Sequence, residues 1–200
     1  MAGSREEDFL RVLRWMRENV DLTSSIYRTT GRAAAVDSTI TVDAAGGPSR
    51  QGRAIPGDLD EWYLNSVTGL LCCCYMDALG KVTLQGKQGY RLNTFAQRHM
   101  PDLVAECTAK GGSYSLQTLY TVYRNGFVHQ FASSTMAWSR RRREADYWFE
   151  GTDRKPGLNV DRLADGVVKG IEDFEARFRT QVSAGSTTFE NFFEWLDARS

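Results

Sequence analysis

Apolar residues recur at spacings of three and four along most of the chain, and this pattern predicts a mainly α-helical fold. Serine, threonine or aspartate stands three residues before glutamate at several helix starts, which is the capping-box pattern. Gly80 is expected to end the second helix, and Pro101 to separate the third from the fourth. Helices are predicted at about residues 4–20, 58–79, 92–99, 103–109, 113 or 115 to 132, 159–178, and from 187 onward.

Four of these helices carry an apolar stripe that we expect to form the core. The stripes are Phe9, Leu13, Met16 and Val20; Tyr63, Val67, Leu70 and Cys74; Leu116, Leu119, Tyr120, Tyr123 and Phe127; and Leu163, Val167, Ile171, Phe174 and Phe178. The last predicted helix has aromatic residues between Phe189 and Leu196, which suit either the core or a dimer face.

Short β segments interrupt the helical pattern. Residues 38–42 alternate and are β-branched, which predicts a strand, whereas residues 46–57 are typical of a loop. Residues 136–138 and 145–149 are predicted to be two strands joined through the basic turn Arg140, Arg141, Arg142 and Arg143. We therefore expect one globular unit: an N-terminal helix and loop-rich segment (residues 1–57), then a helical bundle (residues 58–200) with a small β-hairpin insertion at about 135–152.

The length, charge and composition of the chain limit the classes of function that it can have. The chain has 200 residues, enough for one domain with a core. Acidic and basic residues balance at 25 each, so RNA binding would have to come from a local patch. No run of 18 apolar residues occurs and the N-terminus is polar, which predicts no membrane span, no secretion signal and a cytoplasmic location.

The four cysteines do not have the spacing of a metal site. Cys72, Cys73 and Cys74 are consecutive, so on a helix they point about 100° apart and cannot converge on one ion. Cys107 is far from them in the sequence. We expect small buried apolar side chains in a reducing compartment, with no metal and no cofactor.

The segment around Arg124 carries the strongest chemical pattern. On a helix Asn125 and His129 share a face, Arg124 lies on its flank, and Gly126 allows close approach of another backbone or a ligand. Histidine can exchange a proton near neutral pH, and arginine can bind two phosphate oxygens. This set suits metal-independent RNA cleavage by the RNA's own 2′-OH. The alternative is that Arg124 and His129 only anchor a buried turn.

Arg-Asn-x-x-x-His in a late helix of a helical domain resembles the R-x4-6-H motif of HEPN domains, helical bundles found in many ribonuclease toxins and antiviral effectors. The resemblance covers roughly residues 58–182, and only the short motif is specific. It implies that Arg124 and His129 are the catalytic pair, with Asn125 as the accompanying polar residue. It also implies a homodimer, because members of the family usually build the cleft from two motif helices.

Three hypotheses follow. The first is a metal-independent endoribonuclease of a toxin or defence system, acting as a homodimer on RNA, with Arg140 to Arg143 following the RNA backbone. The second is a non-catalytic HEPN-like module that binds a protein such as an antitoxin. The third is a small-molecule or nucleotide binder that uses Arg124 without turnover. His99, at a predicted helix end, is expected to be structural.

Overall fold

The computed structural model describes residues 5–29, 38–42, 48–50, 58–84, 90–125, 136–139, 145–151 and 154–184. Within these ranges the chain forms a mainly α fold with a small β-hairpin, as predicted. The helices are α1 (Arg5–Thr29), α2 (Asp58–Leu84), α3 (Arg91–His99), α4 (Pro101–Lys110), α5 (Leu116–Thr118), which continues directly as the π-helical segment π1 (Leu119–Asn125), and α6 (Val160–Ser183). The strands are β1 (Ser38–Val42), β2 (Pro48–Arg50), β3 (Met136–Ser139), β4 (Trp148–Glu150) and β5 (Pro156–Asn159).

Helix α2 lies at the centre and contacts α1, α3, α6 and π1. Helix α1 runs antiparallel to α6, since Phe9 packs on Phe178 while Arg17 reaches back to Glu172. The predicted stripes of α1 and α6 are confirmed, with Phe9 and Met16 only half-buried. The most deeply buried core side chains include Leu13, Val20, Cys73, Met76, Leu79, Phe95, Leu103, Leu119, Tyr123, Leu163, Val167, Ile171 and Phe178.

Two predictions about α2 are wrong. Gly80 does not end the helix, which continues to Leu84. Leu70 and Cys74, on the predicted stripe, are only half-buried, whereas Cys72 and Met76 are buried. The middle of α2 is apolar on nearly every side, so the spacing of its apolar residues could not identify the buried face.

One described stretch, Val67–Leu84 in α2, is long and apolar enough to cross a membrane by length and composition. Half of this stretch is buried inside the protein. The core helix of a folded domain has the same composition, so the stretch is weak support for a membrane span.

The five strands form one sheet in the order β2-β1-β3-β5-β4. The predicted pairing of residues 136–138 with 145–149 is wrong, because β5 lies between β3 and β4. Strand β3 runs parallel to β5, and the hairpin joins β4 to β5. The strand before α6 was not predicted, since its Pro156-Gly157 start is typical of a turn.

Side-chain hydrogen bonds connect the sheet to a helix and one helix to another. Both carboxylate oxygens of Glu106 in α4 accept backbone N–H groups at the start of β4, from Tyr147 at 2.7 Å and Trp148 at 2.8 Å. His99, the last residue of α3, is buried, and its Nδ1 lies 2.7 Å from an oxygen of Asp173 in α6. These contacts hold the short elements against the long helices.

Candidate functional site

Arg124 and Asn125 end the π1 segment, and the residues before them fix that segment in place. The Tyr123 hydroxyl donates to the Pro156 carbonyl oxygen at 2.8 Å, and the Tyr123 ring contacts Trp148. Leu119 is fully buried one turn earlier. With both of these side chains anchored, Arg124 reaches α2 and pairs there with Asp77. Short π-helical segments of this kind are frequent at functional sites.

The Arg124 guanidinium is held by two polar partners. One terminal nitrogen donates to the Asn125 side-chain oxygen at 2.8 Å, and the other lies 3.1 Å from a carboxylate oxygen of Asp77. The Arg124 and Asp77 side chains are 23% and 13% exposed. The Arg124 Nε is buried and has no hydrogen-bond partner. The guanidinium therefore keeps unused donors and partial access to solvent.

Asp77 was not among the residues predicted from the sequence, although a signal was present. It stands three residues after Cys74, so it continues the spacing of the predicted apolar stripe of α2. A lone carboxylate at such a position needs a buried cation or hydrogen-bond donors, since an unpaired buried charge is costly. That requirement predicts a basic partner on a neighbouring element, and Arg124 is that partner.

Two tyrosines extend the site toward the surface. The Arg124 guanidinium carbon lies 5.8 Å from the centre of the Tyr120 ring. Tyr120 also meets Tyr90, with ring centres 6.2 Å apart and planes at 67°. Tyr120 was predicted as core, but it is half-buried and connects the charged group to an exposed ring.

The thiols next to this site are kept protonated. Burial raises the pKa of Cys73 and of Cys74, and the positive charge of Arg124 only partly opposes this effect. A protonated buried thiol is a poor nucleophile and a poor metal ligand. In the ranges that the structure describes, no group of three or more His, Cys, Asp or Glu side chains is placed to hold a metal ion.

The structure brings together two of the predicted site residues, Arg124 and Asn125. His129 and Gly126, like the basic turn from Arg140 to Arg143, lie outside the described residues. His99 belongs to a different place, the contact between α3 and α6, where its ring packs on Phe95 and Phe174. Burial lowers the His99 pKa more than its hydrogen bond to Asp173 raises it.

A second arginine has similar surroundings but lies outside the Arg124 motif, so it shows what those surroundings alone imply. Arg162 in α6 is 22% exposed, pairs with Asp102 at 3.2 Å and lies over the Tyr147 ring. Its Nε is also buried without a hydrogen-bond partner. A half-buried arginine between a carboxylate and a tyrosine is therefore not by itself a sign of function in this protein, and Arg162 is the natural control for Arg124.

Comparison with known proteins gives no assignment: no family model matches the chain, and neither a curated protein nor a solved structure is significantly similar to it.

Proposed function

We propose that this protein is a metal-independent endoribonuclease of the HEPN type, acting in a toxin or defence system. The observation that carries the proposal is the half-buried Arg124 guanidinium, which Asn125 and Asp77 orient through one N–H of each terminal nitrogen, so that the second N–H of each is left for a phosphate. An oriented guanidinium stabilises the negative charge that grows on phosphate oxygens in the transition state. It can do so without a metal, because its own charge is permanent.

In the proposed reaction, a base removes the proton of an RNA 2′-OH, and the 2′ oxygen attacks the neighbouring phosphorus. The bond from phosphorus to the 5′ oxygen breaks, and that oxygen takes a proton. The products are a 2′,3′-cyclic phosphate and a free 5′-OH. His129 is the proposed acid–base group, since histidine titrates near neutral pH. Arg124 binds the phosphate oxygens, and Asn125 orients Arg124.

The decisive experiment measures cleavage of single-stranded RNA in EDTA. Arg124→Ala and His129→Ala should each lower the rate by about 10²- to 10⁴-fold. Arg162→Ala is the control, because it removes an arginine of similar exposure that also pairs with a carboxylate but should leave the rate unchanged. An all-DNA substrate should resist, since it lacks the attacking hydroxyl. Equal loss of activity in the Arg124 and Arg162 variants would contradict the proposal.

The active form is proposed to be a homodimer in which two motif helices meet near Gly126, since a small residue lets backbones approach. A two-fold axis would then bring both copies of Arg124 and His129 to one cleft. Mixing Arg124→Ala with His129→Ala protein tests this, because a mixed dimer with one composite site should regain activity. Sedimentation of a strict monomer at high concentration would contradict the dimer.

The second candidate is a non-catalytic module that binds a protein partner such as an antitoxin. The ion pair between Arg124 and Asp77 favours it, because a guanidinium satisfied within one chain can serve packing alone. Breaking a buried pair by removing one partner typically costs about 3–5 kcal/mol, less where the pair is partly exposed. Early melting of Arg124→Ala and Asp77→Ala, with no cleavage by the wild type, would support this function instead.

A further inference from the structure

Tyr90 is 61% exposed, the highest value among the aromatic side chains whose burial the structure describes. Its ring meets Tyr120, and the Tyr120 ring in turn contacts the Arg124 guanidinium. The three groups therefore form a row of successive contacts, from an exposed ring through a half-buried one to the proposed phosphate-binding charge. An exposed aromatic ring is a common place for a nucleobase to stack.

The position of Tyr90 is fixed by its backbone. Its carbonyl oxygen accepts two hydrogen bonds of 2.9 Å, from the backbone N–H and from the hydroxyl of Thr94. The next residue, Arg91, has its backbone directly against Gly80 of α2. These contacts fix the backbone from which the ring projects, so a ligand that binds there has to order only the side chain, which limits the entropic cost of binding.

The same helix positions both ends of the row. Asp77 holds Arg124, and Gly80, one turn later on α2, receives the start of α3 that carries Tyr90. Residues three apart on a helix lie on one face. The spacing between the exposed ring and the guanidinium is thus set by a single rigid element.

We infer that Tyr90 is the base-stacking platform of this site: it binds one unpaired nucleobase of single-stranded RNA whose neighbouring phosphate contacts Arg124. The inference rests on the proposed function for the identity of the ligand. Every base has an aromatic face, so stacking on Tyr90 accepts any of the four bases. It excludes base-paired RNA, in which the bases are stacked on each other and covered.

The test measures binding of a fluorescent 2′-O-methyl oligouridylate in EDTA, which cannot be cut because its 2′ oxygens are blocked. Tyr90→Ala should weaken binding by roughly 5- to 150-fold, the range found for removing one stacking partner. Tyr90→Phe and Tyr90→Trp should bind as tightly as the wild type, because both keep an aromatic face. An abasic oligomer of equal length should bind weakly and be insensitive to Tyr90→Ala.

Trp15 provides a matched control. It is 57% exposed, and its ring centre lies 6.1 Å from a buried tyrosine, Tyr75, in α2. Trp15→Ala should leave oligouridylate binding unchanged, because its ring packs on Tyr75 and not on the ring that carries Arg124. Equal losses in the Trp15 and Tyr90 variants, unchanged binding in Tyr90→Ala, or no binding by the wild type would each overturn the inference.

Measuring binding and cleavage separately distinguishes base stacking on Tyr90 from the proposed RNA cleavage. If the oligomer binds through Tyr90 but RNA is never cleaved, the platform stands and the nuclease function fails. If RNA is cleaved but Tyr90→Ala binds the oligouridylate as tightly as the wild type does, the nuclease function stands and the platform fails. Thermal melts of Tyr90→Ala and Tyr90→Phe should match the wild type, since the ring is mostly outside the core.

Discussion

Adding a single methyl group at Gly80 tests the close contact between α2 and α3. A Cβ added there would lie 3.0 Å from the Arg91 Cα and closer still to the Arg91 carbonyl group. These are backbone atoms, so they cannot swing aside as the end of a side chain would. Gly80→Ala must therefore push the start of α3 away from α2.

Two opposing effects set the magnitude. Alanine in a helix interior gains about 1 kcal/mol over glycine, whereas overpacking typically costs about 1–3 kcal/mol. Because the clash is with backbone, we take the upper end of that range, and the free energy of unfolding should fall by about 2 kcal/mol. In a chain of this size the melting temperature should then drop by about 4–8 °C.

Urea unfolding monitored by circular dichroism gives this number directly. Gly170→Ala in α6 is the control, since its added Cβ would lie 3.1 Å from the Phe95 ring and 3.3 Å from the His99 carbonyl oxygen. That contact is tight but tolerable, so the gain in helix propensity should offset it and leave stability nearly unchanged. A Gly80→Ala protein as stable as the wild type, with unchanged oligouridylate binding, would refute the close approach of α2 and α3.

Three further changes probe other contacts. Glu106→Gln should lower the free energy of unfolding by about 1.5–3 kcal/mol in urea titrations, because one backbone N–H loses its acceptor and the other keeps only an uncharged one. Arg179→Gln, at the exposed end of an i,i+4 pair, should change it by less than about 0.5 kcal/mol. Because the His99 pKa is lowered in the folded protein, the unfolded chain binds the proton more readily, and the melting temperature should fall as the pH drops below about 6.5. The fall should be smaller in His99→Gln. An equal fall in both proteins would mean that other groups cause it. Replacing Arg140 to Arg143 by serine should flatten the plot of log affinity for single-stranded RNA against log salt by about 0.7 per lost phosphate contact, whereas an unchanged slope would remove this turn from the RNA interface.

Helices with one clear apolar face were predictable from the sequence. The inward residues of α1 and α6 follow from spacing alone, because each helix has a polar side that cannot be buried cheaply. The sequence placed one helix start at residue 113 or 115 and another at 159, and in the structure the Ser115 and Asn159 side chains each accept a helix N–H. Local chemistry decides such features, so the sequence contains enough information to predict them.

Features that depend on distant partners were not predictable in this way. Gly80 resembles a helix stop until Arg91 is known to approach it. Strand β5 owes its existence to two neighbours on different parts of the chain, β3 and β4. In the site, Arg124 and Asn125 were predicted as members of one motif because they are adjacent in the sequence, whereas the pairing of Arg124 with Asp77 spans 47 residues and needed the fold.

The native cysteines allow local opening of the protein to be measured by chemical labelling. The thiolate attacks an alkylating reagent, and burial raises the pKa of Cys73 in α2 and of Cys107 in α4. Cys73, which is fully buried, should therefore react only when its surroundings separate, and the half-buried Cys107 should react faster when they do. Cys73 sits in the helix that holds both ends of the site, whereas the Cys107 sulfur accepts the Trp148 indole N–H at 3.4 Å and so reports the contact between α4 and β4. Labelling rates at the two positions, read by mass spectrometry without any engineered probe, would rank which of these regions opens first.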